Sequence, residues 1–247
     1  MSPILELHNI SKRFGAIVIA DQLDLALEQG EALGIIGPNG AGKTTLFGIM
    51  TGTVAPDAGH VRFAGDDVTR LSPEQRCRKG IARSFQIPQP FGKMTVFENL
   101  MVAATFGAQA KRSLPRDIDP NTRCLEILDQ CGLADGANRQ AGTLTLLDRK
   151  RLELARALAT EPRVLLLDEV AGGLTELESR ALVELIKALR RTGLSIIWIE
   201  HVVHALVAAV DRLVVLHNGQ FIAQGDPQAV IRSPAVMEIY MGIAADA

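Results

Sequence analysis

The chain has 247 residues, and its 47% of hydrophobic residues suffice for one substantial core, or for a core with an added lobe. A formal net charge of −2 provides no global basic field for nucleic acid, and three scattered cysteines favour neither a disulfide framework nor a zinc site. No secretory signal is visible and no apolar run approaches the roughly 20 residues of a membrane helix, so we expect any role at a membrane to require a spanning partner.

The first part of the chain is predicted to be rich in β-strands. Alternating apolar residues at 4–10 and 23–27 indicate two half-buried antiparallel strands, and the apolar run 32–36 indicates a buried strand. Shorter strands are predicted at 61–63, after a glycine-containing turn, and at 81–86.

Four helix starts are predicted from side chains that can cap a helix. They are Ser72, Thr95, Asp119 and Thr145. The helix from Thr95 is expected to end near residue 106 and the helix from Asp119 near residue 131. Between these two helices, residues 107–120 are polar and are predicted to be irregular and linker-like.

In the second half of the chain, strands alternate with helices. The continuous apolar runs 164–167 and 195–199 are typical of parallel strands covered on both faces. A helix is predicted at 177–192, a hairpin with a tight turn at 213–223, and a helical tail at 227–241.

This alternation predicts an α/β fold in which helices flank a mainly parallel sheet, next to an antiparallel β subdomain at the N-terminus. Residues 87–142 contain only helical patterns, so we interpret them as an inserted helical lobe. Residues 1–86 and 143–247 are then the two parts of the core, with residues 225–247 as a C-terminal helical tail. The whole chain, 1–247, is predicted to be a single domain.

A glycine-rich segment between the strand at 32–36 and the following helical pattern is the strongest functional signal. It fits the spacing G-x-x-x-x-G-K-[ST] of a loop that cradles phosphates. The segment, called the phosphate loop below, consists of Gly37, Pro38, Asn39, Gly40, Ala41, Gly42, Lys43, Thr44 and Thr45. Glycines let several backbone N–H groups face one anion, the lysine ammonium can bind the β- and γ-phosphates, and the first threonine hydroxyl can ligate Mg²⁺. The alternative is an ordinary flexible glycine turn.

Two carboxylates, Asp168 and Glu169, directly follow the apolar run 164–167. Ligands bind at the carboxyl ends of strands in open α/β sheets, so both side chains are expected at that edge. Asp168 could hold Mg²⁺ directly or through water, and Glu169 could polarise an attacking water. The alternative is a strand that ends in two solvated acids.

With these motifs, the chain resembles the ATP-binding subunits of ATP-binding-cassette (ABC) transporters, and in particular the branch that imports branched-chain or hydrophobic amino acids. The branch assignment depends on residues 80–86 and 94–100 and on the long segment before residue 144. The resemblance covers essentially the whole chain. It implies a P-loop NTPase-type fold, ATP as substrate and Mg²⁺ as cofactor.

The resemblance also implies roles for single residues. Gln86 matches the glutamine that contacts Mg²⁺ and the attacking water at the hinge to the helical lobe, and His201 matches the histidine that contacts the γ-phosphate. Phe14 is a candidate for stacking on adenine, although Ile17 or Val18 could supply this apolar contact and Phe14 could instead be a core aromatic.

The sequence departs from the family at the signature motif, which is usually Leu-Ser-Gly-Gly-Gln, or Leu-Ser-Tyr-Gly-Gln in this branch. Residues 144–148 read Leu-Thr-Leu-Leu-Asp. Thr145 keeps a hydroxyl that can cap the helix and reach a phosphate, whereas Leu147 replaces the second glycine and could crowd a backbone N–H. Asp148 adds an acid there, and Thr175 stands where the family usually has an acid or an amide.

The implied function is an ATPase, a translocase subunit that powers uptake of branched-chain or hydrophobic amino acids or similar small carboxylates. The implied location is peripheral, on the cytoplasmic face of the plasma membrane. The implied partners are membrane permeases, a second ATP-binding subunit in a hetero- or homodimer, and indirectly a periplasmic binding protein, without nucleic acid. Alternatives are a regulatory nucleotide-binding cassette with weak ATPase activity and a soluble ATPase acting on chromosomes or ribosomes. The coiled-coil inserts, tandem cassettes and basic arms typical of the latter are not found in this sequence.

Overall fold

The computed structural model describes residues 2–107 and 119–241, which form a four-stranded and a six-stranded sheet with nine α-helices in these ranges. The predicted alternation of strands and helices in the second half of the chain is confirmed. Part of the predicted linker-like stretch 107–120 lies outside the described residues.

The N-terminal subdomain is an antiparallel sheet with the strand order β2-β1-β4-β5. Its strands are β1 (Leu5–Phe14), β2 (Ile17–Leu27), β4 (Ala58–Phe63) and β5 (Asp66–Asp67). The two predicted strands at 4–10 and 23–27 are therefore confirmed, but both are longer than predicted. The register of β1 against β2 shifts three times between Leu7 and Arg13, and such irregularities interrupt the apolar alternation on which the prediction depended.

The six-stranded sheet has the order β10-β9-β3-β8-β7-β6. Its strands are β3 (Ala32–Ile36), β6 (Ile81–Ser84), β7 (Val164–Asp168), β8 (Ser195–Ile199), β9 (Arg212–His217) and β10 (Gln220–Gly225). All neighbouring pairs are parallel except the β9–β10 hairpin. The strand β6 ends at Ser84, so the prediction that it extends to Gln86 is wrong by two residues.

The order β3-β8-β7-β6 determines where the functional candidates meet. Parallel strands have their carboxyl ends at one edge of the sheet. The phosphate loop follows β3, and His201 follows β8. Asp168 is the last residue of β7 and Glu169 comes directly after it, while Gln86 lies two residues after the end of β6. Four adjacent strands thus deliver all of these groups to one edge.

The helices begin close to the predicted caps. They are α1 (Lys43–Thr51), α2 (Pro73–Lys79), α3 (Val96–Phe106), α4 (Pro120–Gln130), α5 (Leu146–Leu158), α6 (Glu176–Arg191), α7 (Val203–Val207), α8 (Pro227–Ile231) and α9 (Pro234–Met241). Ser72 and Thr95 form reciprocal capping boxes, and Asp119 and Thr145 each accept a backbone hydrogen bond. Helix α6 starts one residue before the predicted position because Thr175 caps it.

Apolar side chains bury both faces of the parallel sheet. On one face, Leu33 and Ile35 pack in a core that includes Phe47 of α1 and the antiparallel sheet. On the other face, Leu165 and Trp198 lie in a core with α5, α6 and the helical segment around α3 and α4. Because both faces are covered, the strands read as continuous apolar runs. The boundaries 87–142 of the lobe remain a prediction.

A buried arginine holds the C-terminal end of α1. The guanidinium of Arg76 donates to the carbonyl oxygens of Ile49, Met50, Thr69 and Leu71. Helix ends leave carbonyls without partners, so the bonds to Ile49 and Met50 satisfy groups at the end of α1 that would otherwise lack a donor. Burial lowers the pKa of Arg76 to about 10.

Candidate functional site at the carboxyl ends of the parallel strands

The phosphate loop requires glycine at three of its positions. Gly40 and Gly42 have φ values of 81° and 100°, in the left-handed region that side chains disfavour. A Cβ atom at Gly42 would lie 2.7 Å from Cγ2 and 2.8 Å from the carbonyl oxygen of Ile19. At Gly37, a Cβ would overlap the carbonyl oxygen of Leu216 on the neighbouring strand. The loop is therefore packed closely against Ile19 and Leu216 at these two glycines.

Helix α1 begins without a side-chain cap. Its N-cap is Gly42, which makes no side-chain hydrogen bond, whereas α3, α4, α5 and α6 each start at a residue whose side chain accepts from a backbone N–H. The first N–H groups of a helix have no partner within the helix, and they carry a partial positive charge. The start of α1 can therefore bind an anion with these groups.

The side chain of Lys43 lies inside the loop. Lys43 is only 5% exposed, and its Nζ donates to the carbonyl oxygens of Gly37 at 2.7 Å and Pro38 at 3.0 Å. Burial lowers the pKa of Lys43, while the negative charges of Glu169 and Asp168 act in the opposite direction. Both acids are thus close enough to the ammonium to interact with it.

Asp168 is buried at the end of β7 and has a basic partner that the sequence analysis did not identify. Its Oδ2 accepts a hydrogen bond from Nη2 of Arg83 at 2.5 Å, and both side chains are largely buried. The Arg83 guanidinium also lies 5.7 Å from the ring centroid of Phe47 and 5.4 Å from that of Phe85. A buried carboxylate needs a charged or hydrogen-bonding partner, and Arg83 provides it here.

Glu169 connects the two residues that the family resemblance placed at this site. Its Oε2 accepts from Nε2 of Gln86 at 2.5 Å, and its Oε1 lies 2.7 Å from Nε2 of His201. The φ of Glu169 is +46°, an uncommon conformation for a residue with a side chain. The structure thus brings Gln86 and His201 to the two carboxylate oxygens of Glu169, as expected of groups that orient a water molecule.

A second buried carboxylate, Glu200, was not singled out from the sequence. Its Oε1 accepts from the backbone N–H of Ala171 at 2.7 Å, and its Oε2 accepts from that of His201 at 3.2 Å. Burial raises the pKa of Glu200, and these backbone hydrogen bonds lower it. Glu200 therefore ties the segment after Glu169 to the segment that carries His201. Its position after the apolar strand 195–199, as with Asp168 after β7, is the only sequence signal that could have identified it.

Oxygen donors suited to a hard cation lie at this edge. Thr44 is exposed in the first turn of α1, Gln86 has an amide oxygen, and Asp168 has a carboxylate. Mg²⁺ prefers such oxygen ligands and keeps several waters or phosphate oxygens. In residues 2–107 and 119–241, no group of three or more His, Cys, Asp or Glu side chains could hold a metal ion by itself. The donor set thus fits a cation that is shared with a phosphate ligand.

Phe14 lies at the end of β1 and is 50% exposed, so the alternative of a core aromatic is wrong. The Nζ of Lys12 lies 5.2 Å from its ring centroid. Ile17, across the hairpin turn, is also largely exposed. Since Ile19 of the following strand contacts Gly42, this hairpin lies next to the phosphate loop and offers apolar surface to a flat ring.

The signature segment forms the start of α5. The Thr145 hydroxyl accepts from the backbone N–H of Asp148 at 3.2 Å, while Leu144 is buried. Leu146 is 45% exposed, and its side chain would be 3.4 Å from a Cβ placed at Gly173. The helix start is therefore intact despite the leucines at 146 and 147.

None of the helices in the described part of the chain combines the length and the apolarity needed to cross a bilayer.

The chain matches the family model described as ABC transporter over residues 20–172, more than half of its length. It is 35% identical over 252 residues to the high-affinity branched-chain amino acid transport ATP-binding protein BraF of Pseudomonas aeruginosa, covering 97% of this chain and 98% of that protein. It is 36% identical over 250 residues to the corresponding LivG protein of Escherichia coli, with the same coverage, 97% and 98%.

Among solved structures, the ADP conformation of an ATP-binding cassette of an ABC transporter has a TM-score of 0.88 and 32% identity, covering 98% of this chain and 100% of that one. A nucleotide-free ATP-binding cassette from an ABC transporter has a TM-score of 0.86 and 33% identity, with the same coverage, 98% and 100%. The predicted fold class and family resemblance are confirmed. The chain belongs to the ABC transporter family.

Proposed function

We propose that the chain is the ATP-binding and ATP-hydrolysing subunit of an importer for branched-chain or similar hydrophobic amino acids. The observation that carries this proposal is the group formed by Glu169, Gln86 and His201, at the same sheet edge as Lys43 of the phosphate loop. The amino acid class comes from the relatives BraF and LivG, which are named as branched-chain amino acid transport proteins and match nearly the whole chain.

The phosphate loop binds the triphosphate of ATP. The uncapped N–H groups at the start of α1 contact phosphate oxygens, and the Lys43 ammonium exchanges the carbonyl oxygens of Gly37 and Pro38 for the β- and γ-phosphates. Phe14 stacks on the adenine, because its exposed ring lies beside the loop.

Thr44, Gln86 and Asp168 would hold Mg²⁺, which neutralises charge on the phosphates when bound. Asp168 is oriented by Arg83. Glu169 accepts the proton of the attacking water, for which either its hydrogen bond to Gln86 or its close contact with His201 must be released. His201 then remains available to contact the γ-phosphate.

Two partners complete the working unit in this proposal. A second ATP-binding subunit, identical or related, places its phosphate loop opposite Thr145 in a head-to-tail pair. Membrane permeases dock on a groove of about 260 Å³ between the core and the helical segment, which Phe85 and Ala103 help to line. Phe91 and Met94 are exposed, whereas Phe97 packs against the core. This arrangement holds the chain on the cytoplasmic face of the membrane, and a periplasmic binding protein delivers the amino acid to the permeases.

Reconstitution tests the proposal. The chain is incorporated with its permeases, second ATPase and binding protein into proteoliposomes, and ATP hydrolysis is measured with and without leucine, isoleucine or valine. We expect these amino acids to stimulate hydrolysis and to accumulate inside, and lysine or glutamate to do neither. Hydrolysis that no amino acid stimulates would contradict the proposed function.

The regulatory alternative receives no support from the comparisons, since the relatives cited above are named as transport proteins and match over nearly their full length. The comparisons do not support a role on chromosomes or ribosomes either.

A further inference from the structure

The backbone of Glu169 has an uncommon conformation that requires support. Its φ of +46° lies in the left-handed region, which residues with a side chain disfavour. Such a conformation persists only where the surrounding contacts hold it, and residues of this kind cluster at functional sites. The contacts on the two sides of Glu169 therefore decide where its carboxylate lies.

Two consecutive residues at the end of β8 supply these contacts. On one side, the N–H of Glu169 itself donates to the carbonyl oxygen of Ile199 at 2.9 Å. On the other side, the N–H of Ala171 donates to Oε1 of Glu200 at 2.7 Å. The carbonyl oxygen of Glu169 accepts from the N–H of Gly172 at 3.2 Å, which closes a tight turn. The segment 169–171 is thus bound to the end of β8 at both of its ends.

The second carboxylate oxygen of Glu200 binds the segment that carries His201. Its Oε2 accepts from the backbone N–H of His201 at 3.2 Å. In turn, Nε2 of His201 lies 2.7 Å from Oε1 of Glu169. One carboxylate therefore holds the backbone beside both of the residues that meet in this contact.

The position of Glu200 calls for a carboxylate. The residue is 2% exposed, and burial raises its pKa, while hydrogen bonds from the backbone at Ala171 and His201 lower it. A carboxylate has two acceptor oxygens, whereas the amide of a glutamine has one and would turn donor hydrogens toward one of the two N–H groups. An apolar side chain would leave both N–H groups without an acceptor.

At the opposite edge of the same sheet, another carboxylate also binds a backbone N–H. Oδ2 of Asp211 accepts from the N–H of Ala32, the first residue of β3, at 2.9 Å, and Oδ1 pairs with Arg190. This bond lies at the amino ends of the parallel strands, away from the candidate site. Asp211 therefore shows what such a bond contributes to the fold alone.

We propose that Glu200 is a positioning residue for ATP hydrolysis, which keeps Glu169 in its left-handed conformation and sets its carboxylate against His201. This role rests on the proposed function, in which Glu169 accepts the proton of the attacking water. Without the carboxylate of Glu200, the segment 169–171 relaxes away from the end of β8, and the catalytic base loses its fixed position.

The test compares Glu200→Gln, Glu169→Gln, the double variant and the control Asp211→Asn in the assembled transport complex. We expect Glu200→Gln to lower kcat roughly 10- to 100-fold, as a misplaced catalytic group does, with unchanged affinity for Mg·ATP. The double variant is expected to hydrolyse ATP as slowly as Glu169→Gln alone, because the residue that Glu200 positions has already lost its function. Asp211→Asn is expected to lower thermal stability and to leave kcat unchanged.

Glu200→Asp supplies a further variant. It keeps two acceptor oxygens on a shorter side chain, so we expect it to retain more of the wild-type kcat than Glu200→Gln does. Equal losses in the two variants would contradict a requirement for two acceptor oxygens.

Hydrogen exchange of the full-length subunit measures the positioning directly. The backbone amides of Ala171 and His201 are expected to exchange faster in Glu200→Gln than in the wild type, and at the wild-type rate in Asp211→Asn. Wild-type kcat in Glu200→Gln, a loss that multiplies with that of Glu169→Gln, or unchanged exchange of both amides would overturn the inference. A normal kcat in Glu169→Gln would instead contradict the proposed function, and the exchange of the two amides alone would then decide whether Glu200 holds these segments.

Discussion

Two helix N-termini in this chain have the same predicted ligand, a nucleotide phosphate, but differ in how they begin. Helix α1 starts at Gly42 in a left-handed conformation without a side-chain cap, and the buried Lys43 lies beside its first turn. Helix α5 starts at Thr145, which has an extended conformation and whose hydroxyl accepts a hydrogen bond from the backbone N–H of Asp148. Leu146 is exposed in the first turn of this helix.

The difference separates what a phosphate site requires from what a helix start requires. The start of α1 has a glycine in the left-handed conformation and leaves its first N–H groups without a side-chain partner, as expected of a site for an anionic ligand. The start of α5 satisfies a backbone donor with its own threonine and would form without any ligand. The start of α1 therefore supports the predicted phosphate ligand by itself, whereas the predicted role of α5 requires a partner subunit.

The largest effect on ATP hydrolysis is expected from Glu169→Gln, which changes the site that also contains the start of α1. The amide cannot accept the proton of the attacking water, so kcat should fall about 10²- to 10⁴-fold while ATP binding is retained. Steady-state hydrolysis and nucleotide titration measure the two quantities. The control is Glu176→Gln, an exposed acid paired with Arg180 on α6, and a normal kcat in Glu169→Gln would remove Glu169 from its role.

Lys43→Ala is expected to weaken binding of Mg·ATP about 10- to 150-fold, since charge-assisted hydrogen bonds to the phosphates are lost. Isothermal titration with a slowly hydrolysed ATP analogue measures the affinity. Thermal unfolding should change little, because burial already disfavours the ammonium in the free protein. Lys187→Ala serves as the control, and full affinity in Lys43→Ala would contradict the assignment of the phosphate loop.

Leu147→Gly tests the α5 side. If Leu147 crowds a backbone N–H that faces the partner's nucleotide, glycine should raise hydrolysis by the assembled complex about 2- to 12-fold, the equivalent of one regained hydrogen bond. Leu146→Gly, which alters the neighbouring exposed leucine, is the control. Equal hydrolysis in the wild type and both variants would mean that this helix start tolerates leucine without loss.

The smallest effect is expected from Phe14→Ala, with an increase in the KM for ATP of about two- to fivefold, because a half-exposed ring contributes modestly by stacking. Comparing ATP with a triphosphate that lacks a base isolates the stacking contribution. Ile17→Ala distinguishes the alternatives: a larger effect at Ile17 than at Phe14 would transfer the adenine contact to the isoleucine.

Much of the candidate site could be predicted because its determinants are local. The glycine spacing before Lys43, the caps at Thr95 and Thr145, and the apolar run before Asp168 each depend on neighbours within a few residues. The ends of β1 and β6 were predicted less well, since bulges and the start of the loop 85–91 do not follow the alternation of strands.

By itself, the sequence determined the phosphate loop, the order of strands and helices, and the family, because backbone preferences and apolar periodicity act over short distances along the chain. Only the tertiary structure decided which charges meet. Arg83 reaches Asp168, Gln86 reaches Glu169 and Glu200 reaches Ala171 across 85, 83 and 29 residues respectively. These pairs exist because the order β3-β8-β7-β6 places four strand ends side by side, and a local pattern contains no information on strand order.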